Sequence, residues 1–399
     1  MKNVVLLTID TLRADVLGCY GSRLGLSPFI DSLAASGRRF DQVQAVGPYT
    51  QASFPGILTS SYYLDHADHG KGKRLSPERL LVSEALRKAG LATAAFHSNP
   101  YLCALFGWNR GWDVFYDSMQ DQVTDEVPFI QAGAINAKVD GWLASRGSAA
   151  GRPFFLWVHY MDMHEPYVPA QKHVDAVDPS VRLSPQEMFG LFKGALLARD
   201  VSDPARVELL RKLYLANLRK VDDCVRELFA ILDRRGVLRD SAVIITSDHG
   251  DEFGEHGGLS HDGKMYEELL RVPLLLLSGP GGAGVCSAPV SGLDIPPTVL
   301  DLFGLPAEPK FQGRSLLAGA DPARVLFAEA IGKRGRQKET DRPVYACRDG
   351  ALRVSHRVEG DRWELFDLAA DPAERLNLMA SSPRAGGMKA RLATRLSRQ

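Results

Sequence analysis

The chain has 399 residues, 45% hydrophobic and 24% charged, enough for a substantial core and too apolar for a disordered segment. Its 48 basic and 48 acidic side chains balance, so no overall field draws it to nucleic acid or to an anionic membrane surface. No apolar run is long enough to span a bilayer, and the five cysteines (Cys19, Cys103, Cys224, Cys286, Cys347) are scattered and lack metal-type spacing, which reads as buried thiols in a reducing compartment.

In chain order, Lys2 to Asp10 is an apolar, strand-like run that ends in an acid. It leaves no room for a secretory leader, so a cytoplasmic location is expected. Arg38-Arg39 and Lys71-Gly72-Lys73-Arg74 are small basic patches read as solvated. Ser76 and Pro77 suit the N-cap and first position of a helix running to Lys88. Further strands are expected at Thr93 to Phe96, Phe154 to His159, Ala242 to Thr246 and Val272 to Leu277. Helices are expected at Phe129 to Ala144 and Ala205 to Arg235. In the last, Leu210, Leu213, Leu218, Val221, Val225 and Leu232 keep helical spacing. Strands alternating with helices indicate an α/β fold with a mostly parallel sheet.

The chemistry concentrates at two strand ends. Ala242-Val243-Ile244-Ile245-Thr246 runs into Ser247-Asp248-His249-Gly250, so an Asp and a His leave a buried strand together. Asp10 leaves the first strand, and ligands in open α/β sheets collect outside the carboxyl ends of strands. Asp10, Asp248 and His249 offer hard oxygen and imidazole donors for one divalent cation: manganese, zinc, magnesium or calcium.

Several ordered motifs give the chain a resemblance to the sulfatase-like branch of the alkaline phosphatase superfamily. They are Thr8-Ile9-Asp10-Thr11-Leu12-Arg13-Ala14-Asp15, Ser27-Pro28-Phe29-Ile30-Asp31, Ile57-Leu58-Thr59-Ser60 followed by His69-Gly70, Tyr266 to Pro273, Gln312-Gly313-Arg314-Ser315-Leu316, and Glu364 to Pro372. The resemblance spans nearly the whole chain. It implies a three-layer sandwich with a small antiparallel C-terminal subdomain, here a catalytic unit over 1–320 with a helical cap near 170–205, and a second unit over 321–399. It further implies that Thr50 is the nucleophile and a fourth metal ligand. The same resemblance gives His164 and His261 as groups facing the transferred moiety, and Asn99 and Lys264 as substrate contacts. A second metal would need Asp162, His164 and His261 to converge. His69, His159 and His256 read as structural.

The nucleophile position departs from the sulfatase pattern, which resembles Cys-x-Pro-Ser-Arg with a Cys or Ser oxidised to formylglycine. Here Thr50 is followed by Ala52, Ser53 and Phe54. Oxidation of a threonine carbinol gives a ketone rather than an aldehyde, and threonine is typical of relatives that handle phosphoryl groups. The expected activity is therefore hydrolysis of a phosphodiester or phosphonate monoester, a small anionic substrate, through phospho-Thr50. A sulfatase, a phosphoryl transferase and an inactive scaffold are the alternatives, and self-association is left open.

Overall fold

The computed structural model describes residues 2–66, 68–69, 73–146, 151–196, 200–277, 282–332 and 342–396. Its centre is an eight-stranded sheet. From one edge to the other the strands are Gly284–Cys286, Arg38–Phe40, Leu274–Leu277, Ser241–Ser247, Asn3–Ile9, Phe154–Tyr160, Ala92–Phe96 and Val114–Tyr116. Leu274–Leu277 runs antiparallel to both of its neighbours, whereas the other adjacent pairs are parallel.

The central strands are buried along their whole length, which accounts for their continuous apolar runs. Alternate residues of the first strand face opposite layers. Val5, Leu7 and Ile9 pack with the helices Pro28–Ser36, Ala132–Ser145 and Pro204–Arg234. Val4 and Leu6 pack with Thr50–Thr59, Val82–Lys88 and Ile295–Leu302. Helices on both faces of one sheet make the three layers. The C-terminal part forms a separate antiparallel sheet, Leu326–Ile331, Pro343–Asp349, Leu352–Arg357 and Arg362–Asp367. The closing helix Ala385–Leu396 packs on it through Met388 and Leu392.

The long helix Pro204–Arg234 is nearly as read from its spacing; Asp203 caps it by accepting from the Ala205 and Arg206 N–H groups. The segment after Pro77 differs. Helix begins only at Val82, behind Leu81, and Ser76 accepts instead from the Glu78 N–H. Arg79 is the reason: its buried guanidinium pairs with Asp68 at 2.7 Å and donates to the Tyr62 and Tyr63 carbonyls, holding residues 77–80 out of helical register. The helix expected from Phe129 runs over Ala132–Ser145. The cap region contains two short helices, Gln171–Val174 and Pro185–Leu191, with a π-helical turn after them. Gly70 of the His69-Gly70 pair and residues 71–72 of the basic patch lie outside the described residues. Among the described residues no helix is long and apolar enough to cross a membrane.

Candidate active site

Strand register assembles the site. Ile9 pairs with Ser247 on one side and with Tyr160 on the other. The three strands therefore end level, and Asp10 and Asp248 emerge side by side. Both are fully buried, as is His249.

Each carboxylate has one oxygen pinned by the fold and one without a partner. Asp10 Oδ2 accepts from the Asn99 side-chain amide at 3.0 Å and lies 3.2 Å from His159 Nε2. Asp248 Oδ1 accepts from the His249 N–H at 3.0 Å and the Thr11 N–H at 3.3 Å. Asp10 Oδ1 and Asp248 Oδ2 have no hydrogen-bond partner. The two free oxygens lie near one nitrogen, His249 Nε2, at 3.7 and 3.3 Å. His249 Nδ1 is 3.0 Å from the Gly250 carbonyl and donates to it, which leaves a lone pair on Nε2. Burial pushes the His249 pKa down to about 4, against the pull of Asp10, so the ring is neutral.

Three buried electron-pair donors thus face one another, an arrangement that costs energy unless a cation lies between them. Their ligand atoms lie within 4.8 Å of one another. The donor set fits a divalent metal. Burial and the neighbouring Asp10 raise Asp248 to about 8, while histidine contacts outweigh burial and bring Asp10 down to about 2.

Thr50 completes the group. It is the first residue of the helix Thr50–Thr59, behind Tyr49, and its Oγ1 is 3.4 Å from His249 Nε2. A helix start presents unpaired N–H groups and the positive end of the macrodipole, both favourable to an anion. Ser53, one turn on, donates to the Asp248 carbonyl at 2.6 Å and ties this helix to the loop that carries Asp248 and His249.

A second polar wall stands beside His249. Its ring centroid is 4.4 Å from that of His261, and His261 is 5.1 Å from His164. Asp251 Oδ1 lies 2.7 Å from His261 Nδ1, and its other oxygen accepts from the Tyr167 hydroxyl at 2.6 Å. Glu165 accepts from Ser260 at 2.7 Å, and the Glu165 carbonyl is 2.6 Å from His164 Nδ1. For His164, burial opposes protonation, but Glu165, Asp10 and Asp251 outweigh it and raise the pKa to about 9.

The structure therefore brings Asp10, Thr50, Asp248 and His249 to one point, with Asn99 against Asp10 and with His164 and His261 alongside. Lys264 lies elsewhere. Its ammonium pairs with Glu252 at 2.6 Å and donates to the His256 carbonyl, beside a separate cluster of Glu252, His256 and Glu268. Asp162 also departs from the expected second metal set: it accepts from the Ala132 N–H at 2.7 Å and pairs with Lys220 at 2.6 Å. Glu165 and Asp251 occupy the place expected of it, forming candidate ligand groups with His164, His249 and His261.

His159, read from sequence as structural, holds Asp10 instead. Sequence reasoning missed it, together with Glu165, Asp251 and Tyr167. The only signal for His159 is its pairing opposite Thr8 across two strands, which no local pattern reveals. His69 Nδ1 lies 2.8 Å from the His66 carbonyl, and His256 pairs with Glu268.

The sulfatase family model matches residues 2–305, and a model for the C-terminal part of N-sulphoglucosamine sulphohydrolase matches 254–399. A choline-sulfatase from Rhizobium meliloti is 31% identical over 280 residues, covering 66% of this chain and 53% of that protein. The match thus spans about half the length of that relative. The multifunctional alkaline phosphatase superfamily protein PehA of Trinickia caryophylli is 25% identical over 79% of this chain and 76% of its own length. Among solved structures, the phosphonate monoester hydrolase of Agrobacterium radiobacter superposes with a TM-score of 0.80 at 20% identity, covering 99% of this chain and 95% of that one. With the family model matching most of its length, the chain belongs to the sulfatase family.

Proposed function

We propose that the protein is a metal-dependent hydrolase of small anionic esters that uses Thr50 as its nucleophile, with phosphodiesters or phosphonate monoesters as substrates. The observation that carries this reading is the Thr50 hydroxyl at the head of a helix, 3.4 Å from His249 Nε2 and beside two carboxylate oxygens without partners. Asp10, Asp248, His249 and Thr50 would hold the cation. When bound, a cation stabilises a threonine alkoxide and offsets charge on the ester's nonbridging oxygen.

The chain's own groups supply the rest. Thr50 releases its hydroxyl proton to solvent, its Oγ1 attacks phosphorus, and the bond to the leaving oxygen breaks with its electron pair. His164, whose carboxylate neighbours raise its pKa, or the adjacent His261 gives that oxygen a proton. Water then cleaves phospho-Thr50 and restores the hydroxyl. The start of the helix holds the anion in place.

Phosphoryl chemistry is favoured because threonine cannot become an aldehyde and because Phe54 replaces the arginine of the sulfatase pattern. Phe54 is buried among the Trp108, Trp157 and His159 rings, with centroids 6.4, 5.6 and 5.1 Å away, and brings no charge to the nucleophile. A sulfuric-ester hydrolase is the second reading. The sulfatase family model and the choline-sulfatase among the relatives favour it, and they back it better than they back the phosphoryl reading. Metal analysis beside turnover of matched aryl phosphate, phosphodiester, phosphonate and sulfate esters decides. Sulfate turnover alone would overturn the phosphoryl reading, and absence of both metal and turnover would make the chain a scaffold.

A further inference from the structure

A cavity of about 950 Å³ lies where the C-terminal sheet closes over one side of the central sheet. Arg271 lines it from just before the strand Leu274–Leu277, whose first residue pairs with Thr246 near the carboxyl end of Ser241–Ser247. Arg348, on the strand Pro343–Asp349, and Arg375 line it from the C-terminal side. The cavity is therefore at the same sheet edge as the reaction centre, the edge where ligands of open α/β sheets collect. Yet none of Asp10, Thr50, His164, Asp248, His249 and His261 lines it.

Every acidic side chain of the lining has a basic partner. Arg13 holds Asp15 at 2.7 Å and Glu255 at 2.6 Å, and Arg39 holds Asp41 at 2.8 Å. Glu267 is bonded by Arg353 at 2.8 Å, and Glu268 pairs with His256 at 2.6 Å. Three guanidinium groups are left over. Among the described residues, neither Arg271 nor Arg375 pairs with a carboxylate. Arg348 Nη1 is 3.9 Å from the Glu267 oxygen that Arg353 already occupies, too far to bond it. The Arg348 side chain is only 11% exposed, and it donates to neutral acceptors, Gln42 Oε1 at 3.2 Å and the Gly350 carbonyl at 3.1 Å. Burial, with Arg353 and Arg271 nearby, holds its pKa below the usual guanidinium value, against the pull of Glu267 and Glu374. Guanidinium groups gathered short of counter-charge cost energy unless an anion joins them.

From this shape and charge balance we infer that the cavity is a binding site for phosphate, free or carried on a small molecule, separate from the reaction centre. The inference does not depend on the hydrolase reading. A guanidinium fork engages two oxygens of a tetrahedral oxyanion at once. Three unspent positive charges from Arg271, Arg348 and Arg375 suit a dianion better than a lone carboxylate. The volume is that of sites for whole small molecules, so there is room for an organic body beside the phosphate.

Calorimetric titration of the full chain with inorganic phosphate, before and after treatment with a chelator, tests it. Binding is expected to persist after chelation, because at the reaction centre the Asp10 and Asp248 carboxyl groups, left without a cation, disfavour an anion. Arg348→Gln should weaken the persisting event by about tenfold or more, the loss of a charge-assisted contact. Arg375→Gln, on the exposed rim, should do the same with no buried group disturbed. Neither substitution should change ester turnover. Glycerol 1-phosphate titrated into the chelated protein separates the two sources. Tighter binding than phosphate supports a phosphorylated small molecule as the ligand, and equal or weaker binding supports the free ion. No binding after chelation, a persisting event that both substitutions leave intact, or acetate bound as tightly as phosphate would each overturn the inference.

Discussion

The Asn99 side-chain amide donates to Asp10 Oδ2 at 3.0 Å and so turns the other Asp10 oxygen, which has no partner, toward His249. Asn99, which the resemblance gives as a substrate contact, here acts as a positioning group for Asp10. Outer partners of metal ligands typically change affinity by about 10–100-fold when removed. Asn99→Ala is expected to weaken divalent-metal binding by about that factor while the fold persists. Calorimetric metal titration beside circular dichroism checks it; unchanged affinity would return Asn99 to a substrate role alone.

Thr50→Ala should retain fold and metal yet lose most ester turnover, roughly 5 kcal/mol or more of barrier at about 1.4 kcal/mol per tenfold. Thr50→Ser keeps the hydroxyl and should stay active. Mass spectrometry of quenched turnover should find a phosphate adduct on residue 50 in the unsubstituted protein. Near-normal turnover by the alanine variant would show that water attacks directly.

If Asp10 and Asp248 hold a divalent ion through their two unpartnered carboxylate oxygens, the ion should act as a stabilising ligand. Adding a divalent ion to chelator-treated protein should raise Tm in a concentration-dependent way, as binding to the native state alone requires. Asp248→Asn should abolish that rise and also raise the Tm of the chelated protein, because a buried carboxylate facing Asp10 is removed. A metal response that survives this substitution would place the ion elsewhere, for instance at Glu252, His256 and Glu268.

Glu329 carries a pH prediction at the junction with the closing helix. Its side chain accepts from the Leu64 N–H at 2.6 Å and pairs with Arg395 at 3.2 Å. Burial raises its pKa to about 7, with Arg395 opposing. A carboxyl group raised in the native state costs nothing below its unfolded value near 4.5. The unfolded chain ionises first, so stability falls as pH rises from there to about 7, at no more than about 1.4 kcal/mol per unit. Glu329→Gln should flatten that decline. Denaturation midpoints between pH 4.5 and 7.5 check it, and parallel curves for the two proteins would refute it.

Much of this protein is legible from local sequence. The runs from Val4 to Ile9 and from Ala242 to Thr246 are apolar on both faces and can only be central strands, and helical spacing from Leu210 to Leu232 is unambiguous. Asp10, Asp248 and His249 follow because acids and a histidine at strand ends have few other uses. Thr50 needed the family resemblance, since one threonine before a helix is ordinarily a cap.

Tertiary structure decided what depends on groups far apart in the chain. His159 reads as one more residue of a buried strand until register places it against Asp10. Asp162 and Lys264 carry suitable chemistry, yet Lys220 and Glu252 claim them. Pro77 signals a helix start that Arg79 overrides through its ion pair with Asp68. Backbone periodicity is encoded within a few residues. The partner of a charged side chain is settled only when distant segments compete for it in a buried, low-dielectric interior, where leaving a charge unpaired costs more than a local propensity can return.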